Sequence, residues 1–159
     1  MPVRAFLDDL LPFIVAAKSS TYAVDLAEGE PSRPESHDRT YRGDRFTYLD
    51  SKVGGTDFLG QEVVYLFDEP VWAMNYYGYI IDPSFTPEAI GRVLQPALTA
   101  LYDEGRFLGG FEFELDGLRY TDTNIGSVNT FRGMEWIEKA DADGKHVYEL
   151  VYHGGLIRP

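Results

Sequence analysis

The 159-residue chain contains no cysteine. That absence removes disulfide staples, thiolate nucleophiles, iron–sulfur clusters and cysteine-ligated zinc together, and it agrees with a reducing compartment, so a cytoplasmic location is expected. Basic residues are scarce: 14 Lys and Arg stand against 26 Asp and Glu, giving a net charge of -12 and an isoelectric point near 4.5. Such a surface repels phosphate backbones and anionic lipid, which argues against direct nucleic-acid binding and against a membrane partner. Long hydrophobic runs are missing as well. The N-terminal apolar stretch is interrupted by Asp8, Asp9 and Pro12 and has no small-residue cleavage site, so it reads as neither signal peptide nor membrane span. The three histidines are too scattered for a zinc site, and no Walker, dinucleotide-binding, H-E-x-x-H or G-x-S-x-G pattern occurs. Neither a metal nor a cofactor is expected, and no stretch repeats at a fixed period.

Aromatic residues are abundant: 11 Tyr, 10 Phe and 2 Trp make up 14% of a highly charged chain. Rings in such number must line a core, a pocket or a partner surface. The length suits one compact domain over residues 1–159 with a substantial core.

Val3, Phe6, Leu7, Leu10, Ile14 and Ala17 recur at helical spacing and predict an amphipathic helix ending near Lys18, kinked at Pro12. A second helix starts with Thr86 as N-cap and Pro87 in the first turn. It carries Ile90, Val93, Leu94, Ala97, Leu98 and Leu101 on one stripe and ends at Gly105, with Pro96 inside. The rest reads as strands. Phe111, Phe113 and Leu115 alternate with Glu112 and Glu114, Asp116-Gly117 makes a two-residue turn, and Leu118 and Tyr120 return on the same face. Asp143-Gly144 offers a second such turn between 134–140 and 145–153, although that register sets Glu138 against Glu149, an unfavourable pair, so either the loop is longer or the pair is hydrated or functional. A third hairpin joins Gln61–Phe67 to Val71–Ile80 around Asp68-Glu69-Pro70; Thr21–Asp25 and Phe46–Leu49 complete the set, while Glu28–Arg45 reads as a polar segment. The expected fold is α+β: a curved antiparallel sheet of about eight short strands with two main helices on one face.

The segment Ser32-Arg33-Pro34-Glu35-Ser36-His37-Asp38 gathers a cation, two hydroxyls, an imidazole and two carboxylates. His37 beside Asp38 suits general acid–base work, and Arg33 an anion clamp; a polar loop held by its own turn bonds is the competing explanation. Glu62 opens a strand and projects either into a cleft or into water. In Trp72-Ala73-Met74-Asn75-Tyr76-Tyr77-Gly78-Tyr79, alternation puts Trp72, Met74 and Tyr76 on one face and Asn75 and Tyr77 on the other, so ligand-binding and core roles compete. His153 is expected on the face of Val147, Glu149 and Val151, pairing near Met134 with Trp136 diagonal to it.

Lys18-Ser19-Ser20-Thr21-Tyr22-Ala23, Ser32-Arg33-Pro34, Ser36-His37-Asp38, Gly54-Gly55 before Phe58-Leu59-Gly60-Gln61-Glu62, Trp72-Ala73-Met74-Asn75-Tyr76-Tyr77-Gly78 and His153-Gly154-Gly155-Leu156-Ile157 together resemble an uncharacterised bacterial domain family. Members of that family occur alone or behind helix-turn-helix DNA-binding segments. The resemblance implies a shared fold and the sensing of an effector, and it implies no reaction. The leading expectation is therefore a small-molecule-binding, sensor-like domain. Arg33, Glu62, Trp72, Asn75, Tyr76, Tyr77, Trp136 and His153 are its candidate ligand-binding residues, with the Arg33/His37/Asp38 loop and the Asn75/Tyr76 strand converging on one pocket. The alternatives are a cofactor-independent hydrolase, isomerase or cyclase with His37 as base and Asp38 as its orienter, and a protein–protein adaptor. Oligomeric state stays open, a dimer included.

Overall fold

The computed structural model describes residues 4–23, 27–141 and 144–158. Helix α1 runs over Arg4–Lys18 and widens into a π-helical turn at Ser19–Ala23. Four strands follow, β1 (His37–Arg42), β2 (Phe46–Gly54), β3 (Phe58–Leu66) and β4 (Glu69–Ile80), then α2 (Pro87–Asp103). The chain ends with β5 (Phe111–Leu115), β6 (Leu118–Ser127), β7 (Thr130–Lys139) and β8 (His146–Leu156). All eight strands form one antiparallel sheet in the order β1-β2-β3-β4-β8-β7-β6-β5. The helices cover one face, the inner face. There Leu10, Ile14 and Ala17 of α1 join Tyr48, Val64 and Trp72, while Ile90, Val93 and Ala97 of α2 join Tyr120, Ile137 and Tyr148. The α+β class expected from the strand and helix pattern is the one observed.

Local chemistry explains most boundaries. The Thr86 hydroxyl accepts from the Ala89 amide, Pro87 occupies the first turn, and Gly105 closes α2 with φ +76° and a bond from its amide to the Tyr102 carbonyl. Asp116 and Gly117 both have positive φ, and Leu115 pairs with Leu118 as a two-residue hairpin demands. Both helices run unbroken past Pro12 and Pro96.

Four expectations change. Thr21–Asp25 is not a strand where it is described, because residues 19–23 form the π-helical turn and residues 24–26 lie outside the described set. The polar Glu28–Arg45 segment contains β1, an edge strand whose charged side chains hide its pattern and blunt its free edge. The β3–β4 turn is Phe67-Asp68, both at positive φ, and Pro70 is accommodated inside β4 at a register shift opposite Val64 and Tyr65. The β7–β8 loop is longer than two residues, with Asp143 outside the described set. Glu138 therefore faces His146 rather than Glu149, and His153 faces Arg132 rather than Met134. A bulge at Ile137/Glu138 turns both Val147 and Tyr148 inward, so Val147 does not share the face of His153.

The connectivity is internally symmetric. Each half is a helix followed by four antiparallel strands, and the halves meet at β4 and β8, where Tyr76 and Tyr152 are register partners. Each ring lies over a glycine of the neighbouring strand. A Cβ at Gly60 would sit 2.1 Å from the Tyr76 ring, and one at Gly133 would sit 2.3 Å from the Tyr152 ring and 2.7 Å from the Thr123 carbonyl oxygen. Gly133→Ala therefore displaces Tyr152 and should lower unfolding free energy by about 1–3 kcal/mol. Urea denaturation checks this, and an unchanged midpoint would contradict the placement of the ring.

Candidate functional site

Strand alternation sends one residue in two toward the helices, and on this chain those positions carry acid as well as aromatic groups. Asp50, Glu62, Asp122 and Glu135 are all buried on the inner face. A buried carboxylate needs hydrogen-bond donors, and tyrosines supply them. The Tyr48 hydroxyl donates to Glu62, Tyr76 to Asp50 at 2.6 Å, Tyr152 to Asp122 at 2.7 Å, and Tyr120 and Tyr148 to Glu135 at 2.5 and 3.1 Å.

The two halves repeat this arrangement. Tyr48-Leu49-Asp50 of β2 recurs as Tyr120-Thr121-Asp122 of β6, Gly60-Gln61-Glu62 of β3 as Gly133-Met134-Glu135 of β7, and Tyr76-Tyr77-Gly78 of β4 as Tyr152-His153-Gly154 of β8. Offsets of 72, 73 and 76 residues separate the three pairs, because loop lengths differ between the halves. No fixed-period repeat exists to be found, yet the ordered triplet Tyr-x-Asp, Gly-x-Glu, Tyr-x-Gly was the available signal, and it was missed.

In each half the two carboxylates face each other across neighbouring strands, Asp50 opposite Glu62 and Asp122 opposite Glu135. Like charges so placed repel, and burial adds to the cost of ionisation. Burial, then the charge of Glu62, pushes Asp50 up to about 7. Burial foremost, reinforced by Asp122, pushes Glu135 up to about 7 against the hydrogen bonds of Tyr120 and Tyr148. Asp122 is also raised, chiefly by burial. Lys18, the last residue of α1, is buried among these groups and places Nζ 2.8 and 3.0 Å from the two Glu62 oxygens and 3.2 Å from the Met74 sulfur. Its ammonium lies 5.0 Å from the centre of the Phe107 ring and 5.9 Å from that of Tyr22.

These groups border a cavity of about 280 Å³ between the helices and the sheet. Glu62, Asp122, Glu135, Lys18 and Lys52 give it charge; Leu94, Leu98 and Leu101 of α2 and the rings of Tyr76, Tyr102 and Tyr152 give it apolar wall. Exposed Gly55 and Pro87 are among its lining residues and mark its opening to solvent.

The candidate residues read from the sequence are divided among separate places. Glu62 and Tyr76 line the cavity. Trp72 is buried apart from it, stacked on Phe131, edge-on to Phe107, with its indole nitrogen donating to the Val128 carbonyl at 3.1 Å. Asn75 and His153 are register partners on the outer face, Asn75 accepting from Gln61, and both border an open hollow there with Arg132. Tyr77 is on the same face in a row with Leu59 and Val151, and Trp136 stacks on His146. Asp38 accepts from the Ser36 and Ser51 hydroxyls and the Ser32 amide, while Arg33 donates to Ser51 at 2.8 Å. Burial raises the Asp38 carboxyl, but those hydrogen bonds prevail and hold it below its usual range. The His37 Nδ1 lies 3.0 Å from the Glu28 carboxylate, both half-exposed. The Arg33/His37/Asp38 loop and Asn75 thus do not meet Tyr76 in one pocket. Asp50, Asp122 and Glu135 are not distinguished in the sequence, because alternation alone does not show that a polar strand position is buried, and Lys18 reads there only as the end of a helix.

Asp50 and Glu135 keep protons in the folded state up to about pH 7, whereas in the unfolded chain they lose them near pH 4. Their contribution to stability is therefore complete below about pH 4 and disappears as pH rises through about 7. Unfolding free energy should fall between pH 5 and pH 8, by an amount on the order of a few kcal/mol. Glu135→Gln, which removes one of the titrating carboxyls facing Asp122, Tyr120 and Tyr148, should flatten that profile. Denaturant titrations at both pH values check the slope, and an identical slope in the variant would count against the assignment.

No curated protein and no solved structure matches the chain significantly. Residues 50–157, carrying β2 from Asp50 onward, β3, β4, α2 and the whole second half up to Ile157, match one sequence family. The chain therefore belongs to the family described as Domain of unknown function (DUF5680).

Proposed function

We propose that the protein is a small-molecule-binding domain whose ligand occupies the cavity between the two helices and the sheet. One observation carries this reading: a pocket lined by leucines and tyrosine rings also holds three carboxylates and two ammonium groups, those of Lys18 and Lys52, where a space serving stability alone would be filled by apolar side chains. Its volume, about 280 Å³, is at the lower limit of ligand pockets, which span roughly 300–1,000 Å³, so the ligand is small. The sensor-like part of the reading rests on the resemblance to bacterial domains found behind helix-turn-helix segments. General acid–base catalysis by His37 and Asp38 has less support, since each is engaged by other partners away from the cavity.

A thermal-shift screen of metabolites tests the proposal. A ligand that stabilises the wild type should lose its effect in Leu98→Trp, whose indole fills the cavity from α2, and should keep it in Asn75→Ala and Arg33→Ala. Stabilisation that survives in Leu98→Trp and disappears in Asn75→Ala would move the site to the outer face.

A further inference from the structure

The two halves repeat the inner-face acids and one tyrosine for each, but differ in what else reaches them: Tyr148 adds a second hydroxyl at Glu135, and the helices supply different side chains. Lys18 stands six residues after Pro12 in α1, and Tyr102 stands six residues after Pro96 in α2. In the first half, then, the helix delivers an ammonium to Glu62. In the second half it delivers a phenol, which burial holds well above its ordinary pKa and so neutral, while, among the described residues, tyrosine hydroxyls and the Asn124 amide donate to Glu135 and Asp122. A carboxylate has about four acceptor sites, so these donors leave capacity for another. Both acids face the same cavity as Lys18.

Lys18 shows what the first copy of this site holds. Its ammonium has two carboxylate contacts, a thioether at 3.2 Å and an aromatic face 5.0 Å away, the surroundings of a weakly hydrated organic cation. The second copy offers paired acids and tyrosine rings with the apolar side chains of α2 beside them, and has Leu150 where the first has the Met74 thioether. Resting on the binding reading above, we propose that the ligand is a small organic ammonium ion, with its charged head on Glu135 and Asp122 and its apolar body against Leu94, Leu98 and Leu101. Lys18 is the chain's own occupant of the equivalent position.

Isothermal titration at constant ionic strength and pH 8, where Glu135 is ionised, with 2-phenylethylammonium, 2-phenylethanol and phenylacetate tests this. The amine should bind at least about tenfold more tightly than the isosteric alcohol, and phenylacetate more weakly than both. Glu135→Gln should reduce the amine to the level of the alcohol and leave the alcohol unchanged; Leu98→Trp should abolish both. Equal affinity for amine and alcohol, or an amine preference that persists in Glu135→Gln, overturns the ammonium assignment. If the alcohol or phenylacetate binds without amine preference and Leu98→Trp abolishes it, the pocket reading stands alone. If no probe binds in a manner sensitive to Leu98→Trp, both fail. A second variant guards against misfolding of the first. Lys18→Ala leaves Glu62 without its cation, and n-propylamine should raise its melting temperature more than that of the wild type. Equal shifts would mean that Lys18 does not mark an ammonium position.

Discussion

Each carboxylate buried beneath the helices is held by a tyrosine hydroxyl, and much of the inner face follows from that requirement. An acid cannot leave water without donors, and a phenol supplies one while its ring fills apolar space. The need sets residue choice on six strands: acids on β2, β3, β6 and β7, tyrosines on β2, β4, β6 and β8. It extends to the glycines, since Tyr76 and Tyr152 reach their acids only by lying across strands that present no side chain at Gly60 and Gly133. The aromatic excess of this acidic chain thus has a chemical cause in the acids it accompanies.

The fold was legible wherever local chemistry determines geometry. Thr86, Pro87 and Gly105 bound α2, Asp116-Gly117 makes its hairpin, and alternation in Trp72–Tyr79 sorts inner from outer residues correctly. The longer β7–β8 loop was legible in part, through the repulsion that a tight turn would impose on Glu138 and Glu149. What was not legible depends on tertiary neighbours. The edge strand β1 pairs with one strand, β2, and mixes charged and polar residues, so its sequence carries little strand pattern. The π-helical turn at Ser19–Ala23 has β-branched and aromatic residues whose local preference the packing overrides.

The site was the least visible part, for a physical reason. Hydropathy assigns Asp50, Asp122 and Glu135 to solvent, and only the sheet's register shows that each faces another acid under a helix. Glu62 and Tyr76 were chosen on the strand pattern, but their partners Lys18 and Asp50 lie 44 and 26 residues away in sequence. Conversely, the residues that looked most chemical as a string, Ser32 to Asp38, use their polarity on one another.

The repeated helix and four strands have a consequence for what a binding site of this shape can be. Two identical units meeting at a symmetry axis would present the same group on both sides, so a lysine at one acid pair would entail a lysine at the other. Joining both units in one polypeptide lifts that restriction. Position 18 and position 102 are free to differ, and they do. Covalent continuity thus converts a site with two equal ends into one with a head and a tail, able to tell the orientation of whatever enters it.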